Sequence, residues 1–162
     1  MQKTAHDVGA RDYRERLGPS LWVMVSAAVA GPMVALVFAP IDTTLALVIG
    51  AVVGVAVVAL LVAGSPVVAV EGGELRAGRA HIPVDLLGDP AVHVGEDARQ
   101  QRGAGLDPRS WHVIRGGIDG LVVMPVSDPQ DPTPAWVISS RTPDRLAAAV
   151  RRAQVKPSTP GT

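Results

Sequence analysis

The sequence predicts an α+β membrane protein: a two-helix transmembrane hairpin followed by a small antiparallel β domain closed by one C-terminal helix. Three observations carry this expectation. Residues 21–39 and 45–63 are two runs of 19 residues without a single Asp, Glu, Lys, Arg or His. As helices each would extend roughly 28 Å, the hydrocarbon thickness of a bilayer. Beyond residue 63 the texture changes to short β-rich runs broken by Gly, Pro and Asp. Near the end, Thr142-Pro143-Asp144 supplies a hydroxyl N-cap, a proline at the first helical position and an acid in the first turn. The chain divides accordingly into an N-terminal cytoplasmic segment (1–20), a first span (21–39), an external turn (40–44), a second span (45–63), a cytoplasmic β domain with its helix (64–154) and a disordered tail (155–162).

The first run exceeds the apolar core of a secretory signal, a second follows at once, and Val37-Phe38-Ala39 lacks the small residue a cleavage site needs. It reads as a retained anchor. Lys3, Arg11, Arg14 and Arg16 precede it, Arg76 and Arg79 follow the second run, and the connecting turn holds no Lys or Arg. The positive-inside rule then puts both termini in the cytoplasm of a multi-pass cell-membrane protein, with Trp22 at the inner interface. Small residues recur at Ala27 and Gly31 on the first run and at Gly50 and Gly54 on the second. Such steps let helix backbones approach closely. The two faces are expected to pack on each other within one hairpin, a homodimer contact being the alternative. Pro32 should kink the first helix. With no ionisable side chain in either run, a proton relay or ion path has nothing to run on.

In the β domain, residues 67–70 and 75–78 flank Glu71-Gly72-Gly73-Glu74 and read as a hairpin. Residues 81–84, 91–94, 111–115, 120–126 and 135–139 read as further short strands, and the polar stretch 95–108 as a mobile loop. The closing helix runs from Pro143 to about residue 153, with Leu146, Ala149 and Val150 on one face and Arg151 and Arg152 near its C-terminal end. Six or seven strands and one C-terminal helix resemble a pleckstrin-homology-like barrel, a likeness of element order that carries no function by itself.

A narrower resemblance rests on Tyr13-Arg14-Glu15-Arg16-Leu17, Gly73-Glu74-Leu75-Arg76-Ala77-Gly78, Leu106-Asp107-Pro108-Arg109, Asp128-Pro129-Gln130-Asp131-Pro132-Thr133-Pro134-Ala135-Trp136 and Ser139-Ser140-Arg141-Thr142-Pro143. Together these segments resemble the actinobacterial two-span proteins grouped as domain of unknown function 3093, from about Tyr13 to Arg152. The departures from the family pattern are Ala135, where an aromatic is usual, and Gly117, where a bulky residue often stands, leaving Trp136 as the large ring of that region. The resemblance implies location and architecture and no activity.

Composition narrows the chemistry. Fifteen basic and 15 acidic residues balance, so no general affinity for nucleic acid is expected, and the absence of cysteine removes thiolate chemistry. Asp128, Asp131 and Thr133 offer oxygens too few for a calcium site, and the aspartates read as turn caps in a stiff, proline-rich connection. The same turn bears Trp136, making it a candidate docking surface. Arg115, Arg141 and Arg145 are candidates for an anion, with pairing to Asp128, Asp131 or Asp144 as the plainer alternative. His81, His93 and His112 match no metal-ligand spacing, and Ser139-Ser140 lacks a nucleophile-elbow context. The expectation is a membrane-anchored interaction or scaffold module that docks a protein partner at the inner leaflet, without cofactor, metal or reaction. An accessory subunit of a membrane enzyme and a lipid-head-group sensor are the alternatives.

Overall fold

The computed structural model describes residues 13–155; Lys3, Arg11 and the tail 156–162, on which parts of the sequence reading rest, lie outside them. The chain forms two compact units: Gly18–Ser65, and the residues up to Leu17 together with those from Pro66 onward.

In the first unit, α1 (Leu21–Ala28) and α2 (Ala30–Phe38) make one apolar run interrupted at Val29. Pro32 is the cause: it has no N–H to offer the carbonyl of Ala28, four residues back. The backbone at Val29 stays in the helical region (φ −65°, ψ −22°), so the interruption is a local loosening and not a turn. A tight connection follows, and Asp42 begins α3 (Thr43–Ala63) by accepting the Leu45 N–H at 2.7 Å. Thr43 and Thr44, expected in the turn, therefore belong to the helix. Both helical runs are long and apolar enough to cross a membrane.

Glycine decides how α2 and α3 meet. A Cβ on Gly31 would stand 2.8 Å from the Gly50 carbonyl oxygen, and one on Gly50 would stand 2.7 Å from both the Gly31 oxygen and the Ala35 Cβ. Gly54 faces the Gly31 Cα. The small-residue steps are thus spent inside the hairpin. Ala27 is half-buried, and Ala28, one residue along, faces the Gly54 position.

The second unit opens with β1 (Tyr13–Arg16), a strand the sequence reading placed in an N-terminal segment. It pairs antiparallel with β2 (Val67–Glu71), Tyr13 opposite Val70 and Arg16 opposite Val67. Gly72 and Gly73, both at positive φ (61° and 81°), turn β2 into β3 (Glu74–Ala77), the expected hairpin. β4 (Ala80–Pro83) completes a four-stranded sheet in the order β1-β2-β3-β4. A 3-10 turn at Val84–Leu86 leads to β5 (Ala91–His93). The second sheet has the order β5-β7-β8-β6, built from β6 (Trp111–Val113), β7 (Gly120–Pro125) and β8 (Ala135–Ser140).

Two features depart from the antiparallel barrel expected. β6 runs parallel to β8. No ladder joins the two sheets among the described residues, so there is no closed barrel. Pro83 and Pro90, which lack a ladder donor, bracket the stretch that leaves the first sheet for the second.

The helix α5 (Pro143–Val155) buries Leu146, Ala147, Ala149, Val150 and Ala153, and these share one core with Leu17, just after β1, and with residues of both sheets, among them Val68, Val70, Leu75, Val122 and Ile138. Trp136 belongs to that core at 4% exposure, its ring 6.1 Å from that of Trp111. Trp136 therefore has an aromatic partner and is not the lone ring expected.

Part of the expected loop is also ordered. α4 (Gly95–Arg102) sets Ala98 against Leu121 and Val137. Its Arg102 guanidinium donates to the Ile118 carbonyl. The far end of α5 is pinned as well, Gln154 donating to the Val84 and Leu87 carbonyls and Arg151 to Asp89 at 2.7 Å.

Candidate functional site

Alternation along β1 turns Tyr13 and Glu15 to one face, toward the start of α5. The Glu15 side chain is 13% exposed. Its Oε2 accepts from the Tyr13 hydroxyl and from Ser140 Oγ at 2.7 Å, and its Oε1 accepts the Arg141 backbone N–H at 2.9 Å with the Arg141 guanidinium 3.9 Å away. Ser140, wholly buried, in turn accepts the Thr142 N–H. The single proton of Tyr13 is committed to Glu15, so at the 3.1 Å Tyr13–Thr142 contact Thr142 donates. Burial first, and the neighbouring Glu15 second, push the Tyr13 phenol above its ordinary range. Five residues from β1 and the β8–α5 corner are thus clamped through one carboxylate.

Beside this clamp lies a cleft of about 620 Å³. β1 contributes Tyr13, Arg14 and Glu15 to it; α5 contributes Asp144, Arg145, Ala148 and Arg152, with Thr142 at the corner. Arg14 stands 3.8 Å from Glu71. Among the described residues Arg145 and Arg152 have no ion-pair partner.

The residues singled out from sequence fall elsewhere in part. Arg145 lines the cleft, whereas Arg141 is engaged by Glu15 and by the Arg16 carbonyl. Arg115 lies between β6 and β7, its backbone N–H donating to Ser139 Oγ. Asp128 and Asp131 cap their own turn, accepting the Gln130 and Thr133 N–H groups at 2.9 and 2.8 Å. The Thr133 side-chain and backbone hydrogen bonds hold the Asp131 carboxyl below its usual range. Trp136 lies in the core and offers a partner no ring.

His93 bonds Asp97 at 2.6 Å, His112 faces the Ser110 carbonyl, and among the described residues no three His, Asp or Glu side chains gather as a metal site. Glu15, Arg14 and Arg152 were missed as site residues. The available signal was the Tyr13/Glu15/Leu17 alternation, which marks a strand with one inward face.

The structure defines a class: an α+β domain of two sheets and a closing helix, with two long apolar helices inserted between its first two strands. The chain matches the family model described as a protein of unknown function (DUF3093) over residues 12–150, and it belongs to that family. No curated protein and no solved structure matches it.

Proposed function

We propose that this chain is a membrane-anchored interaction or scaffold module that docks a protein partner at the inner leaflet of an actinobacterial cell membrane. The observation that carries the reading is the bond from the Leu17 N–H to the Pro66 carbonyl, 2.9 Å long. The two ends of the apolar hairpin leave the β domain at one point, so the domain is held by a double attachment. Only 6% and 11% of the two apolar windows are buried, which suits helices solvated by lipid and not the core helices of a soluble unit. The charge asymmetry around the helices supports cytoplasmic termini. The order of strands and closing helix supports, at most, an opened pleckstrin-homology-like layout.

The docking surface in this proposal is the turn between β7 and β8. Three prolines and two aspartate caps stiffen it, and Pro129, Gln130 and Pro132 are exposed. A segment already ordered loses little entropy on binding.

Photocrosslinking from position 130 in native membranes tests the reading. One dominant protein adduct is expected, lost in Asp128→Ala with Asp131→Ala while the folded chain persists in the membrane. Adducts no stronger than those from position 99 on α4, or adducts to lipid alone, would overturn it; adducts to the chain itself would replace the partner with a second copy.

A further inference from the structure

We infer that the outward face of the first sheet, β1-β2-β3-β4, docks on an anionic lipid surface, that of the membrane in which the hairpin is anchored. The inference rests on the membrane anchoring proposed above and not on the protein partner. Alternation along the strands separates two faces. Leu17, Val68, Val70, Leu75 and Ile82 turn to the core. Arg14, Arg16, Ala69, Glu71, Arg76 and His81 turn away from it, in keeping with the 3.8 Å approach of Arg14 to Glu71. Arg14, Arg16, Arg76 and His81 are exposed there, as is Arg79 in the turn between β3 and β4.

The strand register orders the charges on this face. Arg14, Ala69, Arg76 and His81 stand opposite one another in a single row across all four strands. Glu71 and Glu74 pair at one end of the sheet. At the other end Arg16 stands opposite Val67, and the Gly78 N–H donates to the Val67 carbonyl at 3.0 Å, which brings Arg79 to that end as well. The hairpin departs from the same end, where the Leu17 N–H meets the Pro66 carbonyl. Charge thus runs from acidic at the far end to basic where the chain leaves for the membrane. Arg16 is five residues from Leu21, the start of α1, and stands no more than about 17 Å from it. Neither connection, 17–20 or 64–66, holds an acid. Glu15 is turned inward, its oxygens spent on Tyr13, Ser140 and Arg141.

Four arginines beside a membrane helix reach the density at which basic clusters hold anionic head groups. Two glutamates oppose them, through exposed pairs of 3.8 Å (Arg14–Glu71) and 3.2 Å (Arg76–Glu74). Pairs of that kind are worth little in water, and a lipid phosphate replaces them at small cost. Residues 1–12 set Lys3 and Arg11 against Asp7 and Asp12 and leave the balance unchanged. On β2 this face carries Val67 and Ala69, side chains too short to hold a flat surface away from the arginines on either side.

The test uses the full chain reconstituted into phosphatidylcholine vesicles with or without phosphatidylglycerol. The chain has no cysteine, so His81→Cys takes a single fluorophore on the outward row and Gln130→Cys a single one on the β7–β8 turn. Quenching by a lipid with a nitroxide head group reports how near each stands to the surface. Phosphatidylglycerol should strengthen quenching at position 81 more than at position 130. About 1 M sodium chloride, which screens charge within about 3 Å, should remove the gain. Arg16→Gln with Arg79→Gln should lower the ratio of docked to free domain by on the order of thirtyfold, two arginines near an anionic surface being lost. Arg115→Gln, on another connection, should keep the full response. Quenching at position 81 that ignores lipid charge, survives high salt or is equalled at position 130 would overturn the assignment, and so would a gain retained in a folded double variant. Alkaline extraction of the same vesicles separates the two readings. A chain washed off has no anchored hairpin and both fall, whereas a chain retained without a response to lipid charge overturns the docking face alone.

Discussion

Tyr13 shows how a single residue ties distant parts of this chain together. Its hydroxyl reaches a carboxylate two residues away and hydroxyls more than 120 positions away, at Ser140 and Thr142. It is also the only tyrosine in the chain, so its ionisation can be read directly from phenolate absorbance. Because burial and Glu15 raise its folded value, the stability it contributes is complete below about pH 10, the unfolded value. That stability is lost as pH rises through the higher folded value. The phenol should titrate above its ordinary range in the native chain, and Glu15→Gln should bring it down; a native titration at the ordinary value would contradict the clamp.

Removing the acceptor altogether is costlier. Glu15→Ala leaves a buried Ser140 hydroxyl and the Arg141 N–H without their acceptor, a loss of about 2 kcal/mol in thermal or denaturant unfolding. Little of this was legible in the sequence. The aspartate caps at 128 and 131 were, since an Asx turn is a local event. The partners of Glu15 lie across the fold, and nothing local announces them. Trp136 was misjudged for a related reason: a ring after a proline-rich turn reads as presented, and only the position of Trp111 shows that it is covered.

Among the elements, the apolar helices were the most readable and α4 the least. Long uncharged apolar runs read directly as long helices, and Asp42 and Pro32 act locally, so the start of α3 and the loosening of the first run follow from chemistry within a turn of the chain. α4 buries one side chain, Ala98, and a helix with one apolar contact has no periodicity to detect. β1 is shorter still and mostly charged, and it becomes a strand because Leu17, at 0% exposure, and the edge of β2 hold it there.

Helix packing gives a sharp test at this scale. Gly50→Val pushes side-chain atoms against the Gly31 carbonyl and Ala35, and should lower stability of the chain in micelles by about 1–3 kcal/mol. Val55→Leu, at a position 71% exposed, should leave the midpoint unchanged. Equal effects from the two would mean that α2 and α3 do not cross at Gly50.

At the scale of the molecule, the β domain is built from two pieces of sequence separated by the apolar hairpin. A fragment beginning at Pro66 lacks β1 and Leu17, leaves the edge of β2 bare, and should not show a cooperative unfolding transition. Replacing residues 18–65 by a two-residue Asn-Gly connection should restore one in a water-soluble chain, because the Leu17 N–H and Pro66 carbonyl are already within hydrogen-bond distance. Circular dichroism through a thermal ramp distinguishes the two, and a cooperative transition in the shorter fragment would show that β1 is dispensable.

The same discontinuity makes the fold a checkpoint on its own delivery. β1 leaves the ribosome before either apolar helix, and its partner β2 leaves after both, so the first sheet cannot begin to assemble until the whole hairpin has been made. On the membrane reading, a chain in which one helix crosses and the other fails strands the two halves of the sheet on opposite sides of the bilayer. Such a chain displays an unzipped edge and an open core, features that protein quality control recognises. Correct threading and correct folding thus become one event, certified by the closing of a four-residue strand.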